Sequence, residues 1–385
     1  MVLLDIIKRE LRRLTSRKIY VVMMLVVPLA CSFFLLNLMH EGLPLKVPVG
    51  MVDLDHSSMS RQIARSLNAS PLIDIDSDFE SYHEAINGVK SGEIYGFFLI
   101  PSDFQQKAIA GEKPTLSFFS NMTIFVPGSL SFKGFKTIAV TTAGGIVKTT
   151  LVSAGADENL AGSLIQPLVI RTHPLNNPWT NYSIYLCQSF IPCLLALIIL
   201  LVTVFSICQE HKTGTSVEWL EEARGHMGIA LLGKLLPQTV IFTSVGIAIQ
   251  AVMFGFLGFP LNNHPVHMVL AMLLLVTATQ GFAVFITEML PNFRIALSIV
   301  SLTGILCFSV AGFSFPVEKM YGGIAIFSYI VPIRYYFLIY IDQALNGIPI
   351  YYSRFYYVAL LLFTLLPLIG LRRLRRQCEH PVYIP

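Results

Sequence analysis

The run LLPQTVIFTSVGIAIQAVMFGFLGFPLNNHPVHMVLAMLLLVTATQGFAVFIT, residues 235–287, contains no Asp, Glu, Lys or Arg in 53 positions. A helix crosses a hydrocarbon layer of about 30 Å with roughly 20 apolar residues, because it satisfies its own backbone hydrogen bonds. This run is therefore too long for one crossing and suits two. Its middle, GFLGFPLNNHP at 255–265, combines glycine, proline and paired asparagines and reads as the turn between them. Other charge-free intervals flank it: 22 residues between Lys18 and Glu41, 38 between Arg171 and Glu210, and 23 between Arg294 and Glu318. Buried core helices of a soluble fold are the competing reading, but helices that long would carry polar faces. Composition agrees with the membrane reading, since 54% of the chain is hydrophobic and 13% is charged, against about a quarter charged in soluble domains.

Reading outward, the first pass occupies 19–39 after an amphipathic segment at 1–18, and five further passes lie within 183–371, the last near 355–371. Residues 1–18 hold six bases and two acids, and the tail 372–385 begins RRLRR. Under the positive-inside rule both clusters belong in the cytoplasm, and six passes return the chain to its starting side. Leu3, Ile7, Leu11 and Leu14 recur at helical spacing, which predicts a helix lying along the membrane surface. The first pass lacks a clear cleavage site and is one span of several rather than a secretion signal.

The polar portion 40–182 carries 13 acids and 10 bases and is expected outside. KVPVGMVD, PLIDIDS, EIYGFFLIP and KPTLSFFSN read as strands, and SMSRQIARSLNAS and FESYHEAINGVKSG as helices between them. Alternation of this kind predicts a small α/β domain whose sheet buries an apolar face. A stretch rich in Gly, Ser, Thr and Ala follows Asn121, which suits close-packed helices or a helical stem. The expected fold is thus an all-α polytopic membrane domain with six transmembrane helices, plus an inserted mixed α/β extracytoplasmic domain.

Catalytic chemistry is thin. Asp53, Asp55 and His56 lie close together, and Asp74, Asp76 and Asp78 alternate along one strand, but neither set has the ligand order of a zinc or calcium site. Turn capping and solvation account for both. GGIVKTT at 144–150 lacks the glycine before lysine that a phosphate loop needs. The six cysteines fall in or beside predicted spans or in the tail, so the inserted domain has none for a disulfide. No catalytic, cofactor or metal site is expected in this chain, and nothing in its charge pattern points to nucleic acid.

Two segments break the apolar pattern. QEHKTGTSVEWLEEARGHM, 209–227, places four acids and two bases between two spans. Glu288 and Arg294 flank MLPNF, where a water-exposed loop is expected to satisfy both. GFSFPVEKMYGGIAIFSYIVPIRYYFLIYIDQALNGIP leaves only 14 uncharged residues between Lys319 and Arg334, too few for a comfortable crossing. Its prolines and its Gly322–Gly323 pair predict, in the segment 316–350, either short broken helices re-entering the membrane or an interfacial hairpin.

These segments resemble the permeases of the ATP-binding cassette type-2 family, in the exporter-like branch with a large extracytoplasmic domain between the first two helices. The resemblance lies in EHKTGTSVEWLEEARGHMGIALLGKLLP, through Glu210, Lys212, Gly214, Thr215 and Leu220, then Leu232, Gly233, Lys234 and Pro237. It continues in AGFSFPVEKM and SYIVPIRYY, through Gly312, Phe315, Pro316, Met320, Pro332 and Arg334. One departure is LEEARGH at 220–226, where an LLATP-like stretch is common; its charge bears on which ATPase is recognised.

The resemblance implies that the first region receives motion from a separate ATPase and that the second shapes the outer end of a path. ATPase docking is then expected on Glu210, Lys212, Gly214, Thr215, Glu218, Trp219 and Leu220. Gly214 permits close approach, Thr215 caps a short helix, and Trp219 or Leu220 is an apolar anchor. Gly312, Phe315, Pro316, Pro332 and Arg334 are expected to form the outer gate. ATP and Mg would sit on the partner ATPase, and this chain would pair with a second copy or a related permease among membrane lipids. A periplasmic adaptor is a candidate partner, and a bacterial inner (plasma) membrane is the expected location. The leading expectation is ATP-driven export of an apolar or amphipathic compound. The alternatives are a non-transporting envelope anchor and a mechanically driven membrane-remodelling subunit.

Overall fold

A computed structural model describes the chain apart from Met1, Lys113, Ala154, Ala156, 166–174, 178–180, Pro291, Ser314 and 382–385. It divides into two units, one formed by Met1–Gly42 with Pro174–Pro385 and one by Leu43–His173.

The first unit is helical and contains six helices long and apolar enough to cross a membrane: Lys18–Leu38, Tyr182–Thr213, Met227–Phe256, Pro265–Met289, Phe293–Val310 and Ile350–Glu379. In chain order these are spans one to six. Spans two and four are the most enclosed, each with 72% of its apolar window buried, while the other four have 22–33% buried. The core is accordingly built around spans two and four, and it includes Ile199, Val202, Leu275, Ala278 and Tyr340. The turn at 255–265 falls where expected, between the end of span three at Phe256 and the start of span four at Pro265.

Two spans outrun their expected limits. Span two continues as helix to Thr213, so the first residues of the 209–227 segment are helical. With 32 residues it is about 48 Å long, which exceeds a hydrocarbon layer and carries its charged end beyond it. Span six continues past Leu366 as Pro367–Glu379. The basic tail is therefore mostly helix, held because Leu374 and Cys378 bury one face in a cluster with Trp219, Leu220 and Met227. The remainder of that tail, 382–385, lies outside the described residues.

Between spans five and six, Gly322–Ile330 and Pro332–Leu345 form a helix pair bent by 84°. Val331 is extended at the break, with φ −100° and ψ 130°. Proline disfavours helical backbone in the residue before it, so Pro332 both ends one helix and starts the next. The helix break at proline is common to both expected arrangements.

The second unit holds a four-stranded sheet of β1 (Val47–Asp53), β2 (Ile73–Asp78), β3 (Gly96–Ile100) and β4 (Ser117–Ser120), in order β2-β1-β3-β4. The first three strands are parallel, and β4 runs antiparallel to β3. All four match strands expected from the sequence. The connections β1 to β2 and β2 to β3 run in opposite directions along the sheet, so right-handed crossovers place their helices on opposite faces. Ser58–Asn68 thus packs its Ile63 and Leu67 with Val49, Met51, Phe98 and Ile100. Tyr82–Ser91 packs its Ala85 with Val52, Ile94 and Phe97 on the other side. The expectation of one buried sheet face is corrected to two. The small-residue stretch after Asn121 becomes one helix, Phe125–Ser153, whose Phe135 and Ile138 reach the first of these clusters. GGIVKTT lies within that helix and is not a loop.

Candidate functional site

Val2–Ser16 is an amphipathic helix with Ile6, Glu10 and Leu14 buried at successive spacings of four. Ile6 and Leu14 are buried within the chain, and Leu3 and Leu11 of the expected apolar stripe are exposed on its outer surface. Gly233 on span three makes the contact close, since a side chain there would begin 2.6 Å from Ile6 Cγ2. One residue later, Lys234 stands about 10 Å along span three from its start and is fully buried.

Lys234 organises a buried ion cluster. Its ammonium donates to Glu10 Oε2 at 3.1 Å and to Glu210 Oε1 at 2.6 Å, and lies 4.9 Å from the centre of the Trp219 ring. Glu210, also buried, accepts from Arg9 at 3.2 Å, from Arg13, and from the hydroxyl of Thr215. Gln238 donates to Glu10 Oε1 at 3.1 Å and to Ser206 at 3.2 Å. Three cations and two carboxylates thereby join the amino-terminal helix, the end of span two and the start of span three. A buried ion pair repays its desolvation only when geometry is good and the remaining polar atoms are bonded. Both carboxylates here are supplied with several donors, while Arg13 Nη2 and Gln238 Oε1 are buried without a partner among the described residues.

The short helix Ser216–Glu222 closes the cluster. Trp219 is fully buried and donates from Nε1 to Ala230 O at 3.2 Å, and the Ser216 hydroxyl donates to Cys378 O at 3.3 Å. The outward side of the segment shows Lys212, Gly214, Glu218, Glu221, Glu222 and Arg224.

The docking candidates therefore separate. Lys212, Gly214 and Glu218 are exposed, and Thr215 is half-buried. Glu210, Trp219 and Leu220 are buried within the chain, which corrects the expectation that they reach a partner: they hold the segment in place from below. Gly214 terminates span two in the left-handed conformation, with φ 71° and its N–H returned to Glu210 O. Its requirement is local backbone geometry, as at many helix ends. Thr215 does not cap the short helix with its side chain: its backbone, with φ −93° and ψ 6°, is not in the extended form an N-cap takes, and its hydroxyl donates to Glu210 instead.

Glu10, Arg9 and Arg13 were not among the sequence candidates. The available signal was an acid at the position between Ile6 and Leu14 on one helical face. A further correction concerns the 288–294 loop, where Arg294 is exposed as expected but Glu288 is buried against Gly370. Neither Glu288 carboxylate oxygen has a hydrogen-bonding partner among the described residues.

At the other candidate group, Arg334 is 7% exposed, donates to Ser328 Oγ at 3.0 Å and lies 4.8 Å from the centre of the Tyr329 ring. Gly312 has φ 90°, and a side chain on it would begin 3.0 Å from Arg334 Nη1. Gly312, Pro332 and Arg334 thus come together around the 84° break, whereas Phe315 and Pro316 point outward and do not join them.

Among the described residues, no group of three or more His, Cys, Asp or Glu side chains is placed to hold a metal ion. Residues 18–371 match the family described as ABC-2 family transporter protein. No curated protein matches the chain.

Proposed function

Because the chain belongs to the ABC-2 family of transporter proteins, we propose that it is the permease half of an exporter, moved through the segment 209–227 by a separate ATPase. Family membership makes it a multi-pass membrane transport component that is not itself catalytic and that partners an ATPase subunit. The finer reading is export of an apolar or amphipathic compound by alternating access, with ATP and Mg on the partner. The basic end, with Val2–Ser16 and Pro367–Glu379, faces the cytoplasm of a bacterial inner membrane, and the Leu43–His173 unit lies outside. A second copy or a related permease completes the path, and a periplasmic adaptor extends it.

The observation that carries this reading is the buried cluster of Lys234, Glu10 and Glu210 beneath an exposed charged helix. Force applied to Glu218, Glu221 or Arg224 enters a backbone fixed by Trp219 and Glu210. From there it reaches the amino-terminal helix and spans two and three together. Such a block suits the rearrangement of packed helices that alternating access requires. The family match does not favour a plain envelope anchor.

Reconstitution of the chain with its ATPase in vesicles tests the proposal. ATP-dependent movement of compounds that copurify with the complex is expected. ATP hydrolysis with none of them moved would count against export and favour membrane remodelling.

A further inference from the structure

Where span six leaves the bundle it forms one wall of a groove of about 460 Å³. The groove is lined by Gly225, Ile229, Leu232, Leu371, Arg372 and Arg375. Its two halves differ in chemistry. Ile229 is 37% exposed and Leu232 62%, and Leu368 and Ile369 continue the exposed apolar surface along span six. Arg372 and Arg375 stand together at the charged end. Arg372 has no hydrogen-bonding or ionic partner among the described residues. Arg375 pairs through Nε with Glu379 at 2.8 Å. Its Nη2 lies 3.8 Å from where a side chain on Gly225 would begin, an ordinary contact distance, so the guanidinium rests beside the 225 turn.

We propose that this groove is a binding site for one anionic phospholipid, its phosphate held by Arg372 and Arg375 and its acyl chains lying on Ile229, Leu232 and Leu371. A soluble anion would satisfy the arginines and leave the leucines in water. An uncharged amphiphile would cover the leucines and leave Arg372 uncompensated at the membrane surface, since Arg375 already has Glu379. A phospholipid with net negative charge answers both, and the groove opens on the flank of two spans, where lipid is the solvent. The site also has a mechanical neighbour. The Pro367–Glu379 helix that carries both arginines accepts the Ser216 hydroxyl at Cys378 O, so the bound lipid braces the short helix of the docking segment.

The test is native mass spectrometry of the purified full chain, equilibrated with equal amounts of phosphatidylglycerol and phosphatidylcholine of identical acyl chains. Retention of one phosphatidylglycerol per chain is expected, with a preference over phosphatidylcholine that falls roughly twentyfold in Arg372→Gln/Arg375→Gln, each base near an anionic surface being worth about a factor of five. Arg372→Lys/Arg375→Lys should keep most of the preference, and Arg294→Gln, an exposed base elsewhere at the same end, should keep all of it. Undiminished preference in the glutamine variant would overturn the proposal. So would equal loss in the lysine variant or in Arg294→Gln, or displacement of the lipid by excess inorganic phosphate, which would indicate a soluble anion.

Discussion

Lys234 is the residue on which the candidate site turns. It bridges Glu10 and Glu210 with no exposed surface of its own. Its replacement by methionine keeps the volume but leaves Glu10 with Gln238 alone. Removal of one partner from a buried pair costs about 3 kcal/mol or more, so Lys234→Met should lower the thermal unfolding midpoint of the purified protein by several degrees. An unchanged midpoint would mean that the cluster contributes nothing to holding these helices. Gly214 gives a smaller and more selective effect. Its φ of 71° is strained for a side chain, and Gly214→Ala should cost about 1 kcal/mol while Gly214→Asn costs less, as compared by unfolding midpoints. At this scale the sequence was a partial guide. Glu210, Gly233 and Lys234 stand in a motif, but their partner Glu10 lies 200 positions from Glu210. Only the packing of the amino-terminal helix on span three reveals it. Trp219 misled for a related reason: an aromatic residue in a polar segment reads as an outward anchor until the core beneath it is known.

Among the elements, spans were legible because hydrocarbon demands an uninterrupted apolar length, and the inserted strands because short apolar, β-prone runs stand between turn residues and helices. Helix ends were less so. Spans two and six extend through charged residues, since a helix that has left the hydrocarbon needs only a partner for one face, and Leu374 and Cys378 find theirs on Trp219 and Leu220. The same reasoning failed for Glu288, whose burial depends on span six folding over the end of span four. Close approach of those two spans gives a prediction. Gly281 abuts the backbone of Phe363 and Thr364, leaving no room for a side chain. Gly281→Val should force the spans apart at a cost of about 1–3 kcal/mol, visible as a lower unfolding midpoint. A midpoint equal to that of the unsubstituted protein would show that the contact is loose.

For the whole molecule, the proposed division of labour is that an ATPase grips the outward face of the 209–227 segment while the buried cluster carries the movement inward. The two functions fall on different side chains. Glu218 and Glu221 are exposed, whereas Glu210, Trp219 and Lys234 are buried. Substitutions on the exposed face should therefore leave stability within about 0.5 kcal/mol and act on the partner alone. The most direct measurement is recovery of the ATPase with the affinity-purified chain from native membranes, comparing the unsubstituted protein with Glu218→Lys/Glu221→Lys at equal expression and equal unfolding midpoint. Charge reversal should lower ATPase recovery at least about tenfold, two reversed charges at an interface costing more than about 1.4 kcal/mol together. Full recovery of the ATPase with the reversed face would contradict this division of labour.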